Sequence, residues 1–210
     1  MRLSGRVQRI QPSVTLAVAA RARALQLQGR DIISFGVGEP DFDTPAHIQA
    51  AAAAAMAQGA GKYTAVAGIA ELRAAAAAEL SAVHDLKLGP ENILVSTGAK
   101  HSIYNLLMAL LDDGDEVIVP TPCWPSHVEL VRMAGGVPVL AEQRSEDGFQ
   151  LDPELLGRLL TKRTRALMLN SPSNPTGAVY NEASLLALAA VIRDRGGPDL
   201  LIITDDLYRR

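Results

Sequence analysis

From residue 90 onwards, short apolar segments alternate with amphipathic stretches, and this alternation restricts the fold more than any other feature. The apolar segments are predicted strands at Ile93–Ser96, Glu116–Pro120, Val137–Leu140, Arg165–Asn170 and Leu200–Asp205. Apolar residues at helical spacing predict helices between them, at Lys100–Leu111, Ser126–Ala134, Pro153–Leu160 (with Asp152 as N-cap) and Glu182–Arg195. Strands that alternate with helices favour an α/β fold built on a parallel sheet.

The first 90 residues are less regular. We expect a short strand at Asp31–Ser34, then a loop to Pro45, and helices at Ser13–Gln28, Ala46–Gln58 and Gly68–Leu80. Residues 1–30 contain arginines but no acidic residue, a composition typical of a transit peptide. We interpret them instead as an amphipathic helix of the folded protein, because a strand and a specific loop follow at once.

Composition narrows the classes of function. The 210 residues are 48% apolar and 20% charged, with a net charge of −3, so no general electrostatic attraction to nucleic acid or to a membrane is expected. No apolar run approaches the roughly 18 residues of a membrane span. The single cysteine, Cys123, excludes an internal disulfide and fits a reducing compartment, so we expect a cytoplasmic protein.

In open parallel sheets, ligands bind beyond the carboxyl ends of the strands. Side chains able to bind a ligand follow the first two strands predicted after residue 90. Thr97-Gly98-Ala99-Lys100 opens a helix, so backbone N–H groups, a hydroxyl and a cation could form an anion site. An ordinary helix cap explains these residues about equally well. Trp124 lies in a proline-rich loop and could stack on an aromatic ligand, although a lone tryptophan more often fills a core.

The last two strands end in an amide and a carboxylate. Asn174 could donate to an oxyanion, or could simply serve the turn that Asn-Pro-Thr-Gly favours. Asp205 ends a buried strand, where a carboxylate needs a partner, and Tyr208 could point its hydroxyl into the same space. An anion site, a stacking face, an amide donor and a carboxylate together fit a phosphorylated pyridine.

In order and spacing, the motifs resemble those of the fold-type I pyridoxal-phosphate-dependent aminotransferases of class I/II, most closely the bacterial aspartate aminotransferase branch. The matching segments cover essentially the whole chain: Gly38–Pro45, Lys62-Tyr63, Gly68–Arg73, Thr97–Lys100, Gly114–Val119, Asn170–Gly177 and Thr204–Tyr208. The resemblance implies a homodimer. It also implies an N-terminal arm and the first part of a small domain over residues 1–45, and an incomplete three-layer αβα large domain over residues 46–210.

The resemblance implies pyridoxal 5′-phosphate as cofactor and a role for each matching residue. Asp205 would be the partner of the pyridine nitrogen, and Tyr63 would reach the phosphate in the neighbouring subunit. Asn174 and Tyr208 would donate to the phenolic oxygen. The implied cofactor contacts are Gly98, Ala99, Lys100, Trp124, Asn174, Asp205, Tyr208 and Tyr63.

The same resemblance implies an acidic amino donor, aspartate or glutamate, and a 2-oxo acid acceptor. Lys100 would face the side-chain carboxylate of the substrate, and Gly38 would lie at its α-carboxylate. The implied substrate contacts are Gly38, Lys100, Trp124, Asn174 and Thr15, with Ser13 as a helping hydroxyl. Four positions depart from residues common in that branch and leave the identity of the substrate open: Ala99, Cys123, His127 and Asp206.

The Schiff-base lysine of the resembled family is expected beyond Arg210. The lysines present are Lys62, Lys87, Lys100 and Lys162, and none lies in that motif. We therefore expect no catalytic residue of this kind in the chain and no meaningful transaminase turnover from it alone. Two strands of the family's sheet also come later in sequence, so we expect a split sheet with open edges and marginal stability.

Three alternatives stay open at this point. The first is another enzyme with the same cofactor, a C–S lyase or a cyclopropane-carboxylate synthase, against which Lys100 argues by favouring an acidic substrate. The second is a non-catalytic aminotransferase-like fragment or ligand-sensing domain. The third is a nucleotide-binding module, which is disfavoured because Gly36-Val-Gly38 and Gly59–Lys62 complete no phosphate-binding motif after a strand.

Overall fold

A computed structural model of the chain describes residues 2–38 and 40–208. Its contacts divide the chain into two compact units, one of residues 12–95 and one of residues 1–11 with 96–210. The domain boundary expected after residue 45 stays a prediction.

The chain forms helices and strands in the following order. The helices are α1 (Gly5–Arg9), α2 (Val14–Leu27), α3 (Ala46–Ala57), α4 (Ala70–His84), α5 (Ala99–Leu110), α6 (Pro125–Met133), α7 (Pro153–Leu159) and α8 (Glu182–Arg195). The strands are β1 (Glu116–Thr121), β2 (Val137–Glu142), β3 (Thr164–Asn170) and β4 (Leu201–Asp205). Within the described residues, no helix is both long enough and apolar enough to cross a bilayer.

The unit of residues 12–95 is helical, and one predicted strand within it is wrong. Asp31–Ser34 forms no strand, and neither does the Ile93–Ser96 segment at the junction of the two units. A strand requires a neighbour for its ladder, and neither segment has one in the described part of the chain. Within Ile93–Ser96, the Val95 N–H donates to the Ala67 carbonyl at 2.9 Å, and this bond does not extend into a ladder.

The unit that contains residues 96–210 is a three-layer α/β structure, which confirms the predicted fold class. The four strands that the described residues form are all parallel, in the order β2-β1-β3-β4. Because side chains alternate between the faces of a strand, Val117 and Val119 pack on one face of the sheet and Ile118 on the other. Helices α5 and α6 cover the first face, and α7 and α8 cover the second.

Apolar spacing predicted most elements of this unit to within one or two residues. The cap of α7 is confirmed in detail, since the Asp152 carboxylate accepts from the backbone N–H groups of Glu154 and Leu155. The side chain satisfies two donors that the helix itself leaves unpaired.

A buried acid anchors the amino end of the sheet. Glu116 begins β1 and is 5% exposed. Its carboxylate accepts from the Thr161 hydroxyl and from Arg163 Nε at 2.9 Å. The hydrogen bond from Thr161, followed by the bond and charge of Arg163, holds the pKa of Glu116 below its ordinary value despite burial. This cluster joins the starts of β1 and β3, far along the strands from their carboxyl ends.

We expect an Arg163→Met substitution to lower the free energy of unfolding by about 1 kcal/mol, a modest value because the guanidinium is largely exposed. The carboxyl has a lowered pKa in the folded state. The loss is therefore complete above the unfolded value of about 4.3 and disappears as the pH falls through the folded pKa. Chemical denaturation at several pH values measures it. Arg158→Met is the control, since its carboxylate partners lie 3.8 and 3.9 Å away at the surface.

Candidate functional site

The strand order creates a topological switch point between β1 and β3, because β2 lies on one side of β1 and β3 on the other. In sheets of this kind, ligands bind outside the carboxyl ends of the strands at that point. The loop after β1 carries Trp124, the loop after β3 carries Asn174, and Asp205 ends the neighbouring strand β4. Three residues predicted from the sequence therefore lie along the same edge of the sheet.

A histidine connects Trp124 with Asp205. His127 lies in the first turn of α6 and is only 1% exposed. Its Nε2 donates to Asp205 Oδ2 at 3.0 Å, and its ring meets the Trp124 ring edge-on, with 5.4 Å between ring centroids. The hydrogen bond from His127 holds the pKa of Asp205 below its ordinary value, against the opposite effect of burial; the Leu207 N–H adds a smaller effect. The carboxylate therefore remains negatively charged at neutral pH.

An asparagine connects Asp205 with Asn174. The side-chain amide of Asn170, at the end of β3, donates from Nδ2 to the Asp205 carbonyl at 2.7 Å. Its Oδ1 accepts the backbone N–H of Asn174, also at 2.7 Å. Asn174 in turn donates from Nδ2 to the Tyr208 hydroxyl at 3.2 Å. Among the described residues, one N–H of Asn174 and the hydroxyl proton of Tyr208 have no acceptor and can donate to a ligand oxygen.

The amino end of α5 supplies the other predicted contacts of this unit. Gly98 precedes the helix with φ = 78°, a conformation that suits glycine, and none of the described side chains caps the helix. The uncapped N–H groups of the first turn, which begins at Ala99, favour an anion. The Ser96 hydroxyl nearby is buried and has no hydrogen-bond partner in the described residues. Lys100 places its ammonium 4.9 Å from the centre of the Trp124 ring.

Four predicted residues lie in the other unit, and their proposed roles stay predictions. Ser13 caps α2, with its hydroxyl accepting from the Leu16 N–H at 3.3 Å. Thr15 follows in the first turn of that helix. Gly38 lies outside any helix or strand, with open space where a side chain would be, and the Tyr63 ring is fully exposed.

Sequence reasoning missed two residues of the site. The sequence marks His127 only as a departure from residues common in the resembled branch, and Asn170 only as the end of a predicted strand and the start of the Asn170–Gly177 segment. A signal for His127 existed in its spacing, since it follows Trp124 by three residues at the start of a helix and so falls on the same helix face. The bond from Asn170 to Asp205 depends on the packing of β3 against β4, which spacing along the chain does not encode. Its bond with Asn174 is local, four residues along the chain.

The single cysteine of the chain is not an activated thiol. Cys123 is half-buried, and burial raises the pKa of its thiol, so the sulfur remains protonated and is a poor nucleophile. Among the described residues, no group of three or more His, Cys, Asp or Glu side chains could hold a metal ion.

The fold and the site define a class of α/β protein in which a carboxylate, an amide, an indole and the amino end of a helix lie at the topological switch point of a parallel sheet. The chain belongs to the family of class I and II aminotransferases, since residues 30–210 match the pattern of that family. The resemblance inferred from the motifs is thereby confirmed.

Individual relatives are similar over nearly the whole chain. An aspartate/prephenate aminotransferase of Nitrosomonas europaea is 49% identical over 208 residues, which are 99% of this chain and 52% of that protein. An aspartate aminotransferase of Bacillus subtilis is 44% identical over 210 residues, which are 100% and 53%. The solved aspartate aminotransferase from Thermus thermophilus with maleate has a TM-score of 0.91 at 48% identity, and the match covers 98% and 53%. The chain thus spans about half the length of these relatives.

Proposed function

We propose that this chain contributes the pyridoxal-phosphate site of an aminotransferase that transfers the amino group of an acidic amino acid to a 2-oxo acid. The observation that carries the proposal is the continuous series of contacts from Trp124 through His127 and Asp205 to Asn174 and Tyr208. The names of the relatives, which specify aspartate, support the substrate class.

The residues present fit the cofactor group by group. Asp205 stays anionic and can pair with a protonated pyridine nitrogen, because an opposite charge favours the charged form of each partner. Asn174 and Tyr208 offer donors to a phenolic oxygen. The amino end of α5 and the Ser96 hydroxyl, neither of which has a hydrogen-bonding side chain as partner among the described residues, offer donors to a phosphate. When bound, pyridoxal phosphate supplies an electron sink for bond breaking at the substrate α-carbon.

Lys100 supports an acidic substrate. An ammonium that meets a second carboxylate forms a charge-assisted hydrogen bond worth about 1.5–3 kcal/mol, which a neutral side chain cannot match. We propose Gly38 and Thr15 as further substrate contacts. We also propose a cytoplasmic homodimer in which Tyr63, whose ring is fully exposed, reaches the phosphate bound by a second copy of the chain.

We propose further that these 210 residues do not turn over by themselves. None of the four lysines in these residues, Lys62, Lys87, Lys100 and Lys162, lies in the motif expected for a Schiff-base lysine. Among the described residues, no lysine makes a hydrogen bond or an ion pair with Asp205. A lysine at the cofactor would be both the covalent anchor and the proton carrier. We expect no sustained amino transfer from aspartate to 2-oxoglutarate by the purified chain, and steady turnover would refute this proposal.

Binding of pyridoxamine 5′-phosphate tests the cofactor site without requiring a lysine, since this form carries an amine in place of the reactive aldehyde. Trp124 is the only tryptophan in the chain, so its fluorescence reports directly on the site. We expect a saturable change in fluorescence with pyridoxamine 5′-phosphate, and at least about tenfold weaker binding of pyridoxamine, which lacks the phosphate and its charge-assisted bonds. Equal affinity for the two compounds, or no binding of either, would contradict the proposed function.

A further inference from the structure

The loop that carries Asn174 is fastened at both of its ends. It comprises residues 171–180, from the residue directly after β3 to a position two residues before α8. Near its start, the side chain of Asn170 accepts the Asn174 N–H. At its end, the Tyr180 N–H donates to the Ser171 hydroxyl at 3.1 Å, and this bond joins the last residue of the loop to the first.

A further contact ties the end of this loop to a different strand. The Gln143 side chain donates from Nε2 to the Tyr180 hydroxyl. Gln143 directly follows β2, and its backbone N–H donates to the Thr121 carbonyl at the end of β1, at 2.8 Å. Because β1 lies between β2 and β3, the loop that leaves β3 is anchored on the far side of β1. The bond between Gln143 and Tyr180 therefore spans the switch point.

The middle of the loop transmits a displacement of its end to Asn174. Ser173 donates its N–H to the Ala178 carbonyl at 2.9 Å, and its own carbonyl accepts the Gly177 N–H at 2.8 Å. Residues 173–178 therefore form a closed turn that contains Asn174 and moves as one body. Tyr180 follows this turn by two residues, so a change in the position of Tyr180 reaches Asn174 through a short, hydrogen-bonded path.

Packing leaves much of the task of fixing the loop to its hydrogen bonds. A cavity of about 20 Å³ lies between the loop and the ends of β1 and β3, and its lining includes Gln143, Ser173, Ala178 and Tyr180. Atoms that border a cavity lack van der Waals partners on that side. The hydrogen bonds of the loop consequently have a larger share in holding it than they would have in a fully packed core.

We propose that Tyr180 is a positioning residue for Asn174, which it holds in place for the phenolic oxygen of the cofactor through its bond with Gln143. This inference rests on the proposed function and deepens it, since neither Gln143 nor Tyr180 belongs to the motifs that carry the family resemblance. Tyr180 itself does not touch the ligand in this account. It acts by fixing the loop whose amide does.

Two variants break the proposed contact from opposite sides. Tyr180→Phe keeps the ring and removes the hydroxyl, and we expect pyridoxamine 5′-phosphate to bind about two- to tenfold more weakly, the effect of one neutral hydrogen bond. Gln143→Met should give a similar loss, and the two changes together should cost little more than either alone. Titration of Trp124 fluorescence gives the dissociation constants. Tyr104→Phe is the control, since this ring packs on the core and its hydroxyl makes no hydrogen bond within the described residues.

A second double-variant experiment separates positioning of Asn174 from a general loosening of the fold. Asn174→Ala removes the amide through which Tyr180 is proposed to act. If it acts in this way, adding Tyr180→Phe to Asn174→Ala should change the affinity less than about twofold, because coupled residues do not have additive effects. A general loosening would instead give the same further loss in both backgrounds, and that result would overturn the inference.

Amide hydrogen exchange tests the position of the loop without any ligand. We expect peptides that cover residues 171–178 to exchange about two- to tenfold faster in Tyr180→Phe than in the parent chain, and peptides of α5 to remain unchanged. A parent chain that binds pyridoxamine 5′-phosphate no better than Tyr180→Phe refutes the inference alone. A parent chain that does not bind it refutes the proposed function. Faster exchange of the loop in Tyr180→Phe then still supports the holding role of Tyr180, and unchanged exchange refutes that role as well.

Discussion

An Asp205→Asn variant should bind pyridoxamine 5′-phosphate about tenfold to hundredfold more weakly than the parent chain. The substitution removes the negative charge but keeps a side chain that can accept the His127 hydrogen bond. The lost interaction is a charge-assisted bond between a mostly buried carboxylate and the protonated pyridine nitrogen, worth about 1.5–3 kcal/mol. Titration of Trp124 fluorescence gives the two dissociation constants.

The absorbance of the bound ligand, measured as a function of pH, separates the loss of the Asp205 charge from a general loss of structure. An adjacent anion favours the protonated pyridine, so the bound ligand should keep its proton to a higher pH in the parent chain than in free solution. In Asp205→Asn this upward displacement should vanish. Asp199→Asn is the matched control, since this exposed acid lies at the other end of β4 and pairs at 3.6 Å with Arg165. Parent-like affinity and absorbance in Asp205→Asn would exclude Asp205 as the partner of the ring nitrogen.

An Asn170→Ala variant should lose both stability and ligand affinity. The change leaves the Asp205 carbonyl and the Asn174 N–H without their partner, at a cost of up to about 1–3 kcal/mol for each of these partly buried groups. Because the same amide joins the end of β4 to the loop after β3, Asp205 and Asn174 should both shift. We expect affinity for pyridoxamine 5′-phosphate to fall at least about tenfold, the amount that 1.4 kcal/mol represents.

Two further variants show whether Asn170 positions the site or merely stabilises the fold. Asn170→Asp keeps the acceptor for Asn174 but cannot donate to the Asp205 carbonyl, so its affinity should fall between parent and Asn170→Ala. Asn181→Ala removes the N-cap of α8, where the side chain accepts from Ser184, and should cost about 1 kcal/mol of stability without weakening the ligand. Equal losses of affinity in Asn181→Ala and Asn170→Ala would show that affinity follows stability alone.

The strands and helices of residues 96–210 were predictable because their signal is local. Glu116–Thr121 and Thr164–Asn170 are buried on both faces, so they appear in the sequence as continuous apolar runs. Helix α5 shows its buried face through Ile103 and Leu107, four residues apart. The same apolar signal at Ile93–Ser96 failed, because a strand also needs a neighbour, and no neighbour pairs with it in the described residues.

The sequence predicted where the residues of the candidate site lie in the sheet, but it did not predict which side chains they hydrogen-bond to. Parallel strands bring their carboxyl ends to one edge of the sheet, so the sequence alone predicts Asn174 and Asp205 at that edge. Which side chains join them depends on distances across strands. His127 reaches Asp205 from 78 positions earlier in the chain, and Asn170 reaches Asp205 from 35 positions earlier. Neither spacing corresponds to a helical or strand period, so periodicity could not reveal these bonds.

The position of β4 at the side of the described sheet affects how its amides exchange with deuterium. Strand β4 pairs with β3 through Leu201–Asp205, and within the described residues no strand lies on its other side. Amides of β3 that bond to a neighbour should exchange slowly, whereas those of β4 that point outward should exchange within the dead time of a manual experiment. The strand that carries Asp205 therefore combines a protected ladder on one side with solvent-accessible peptide groups on the other.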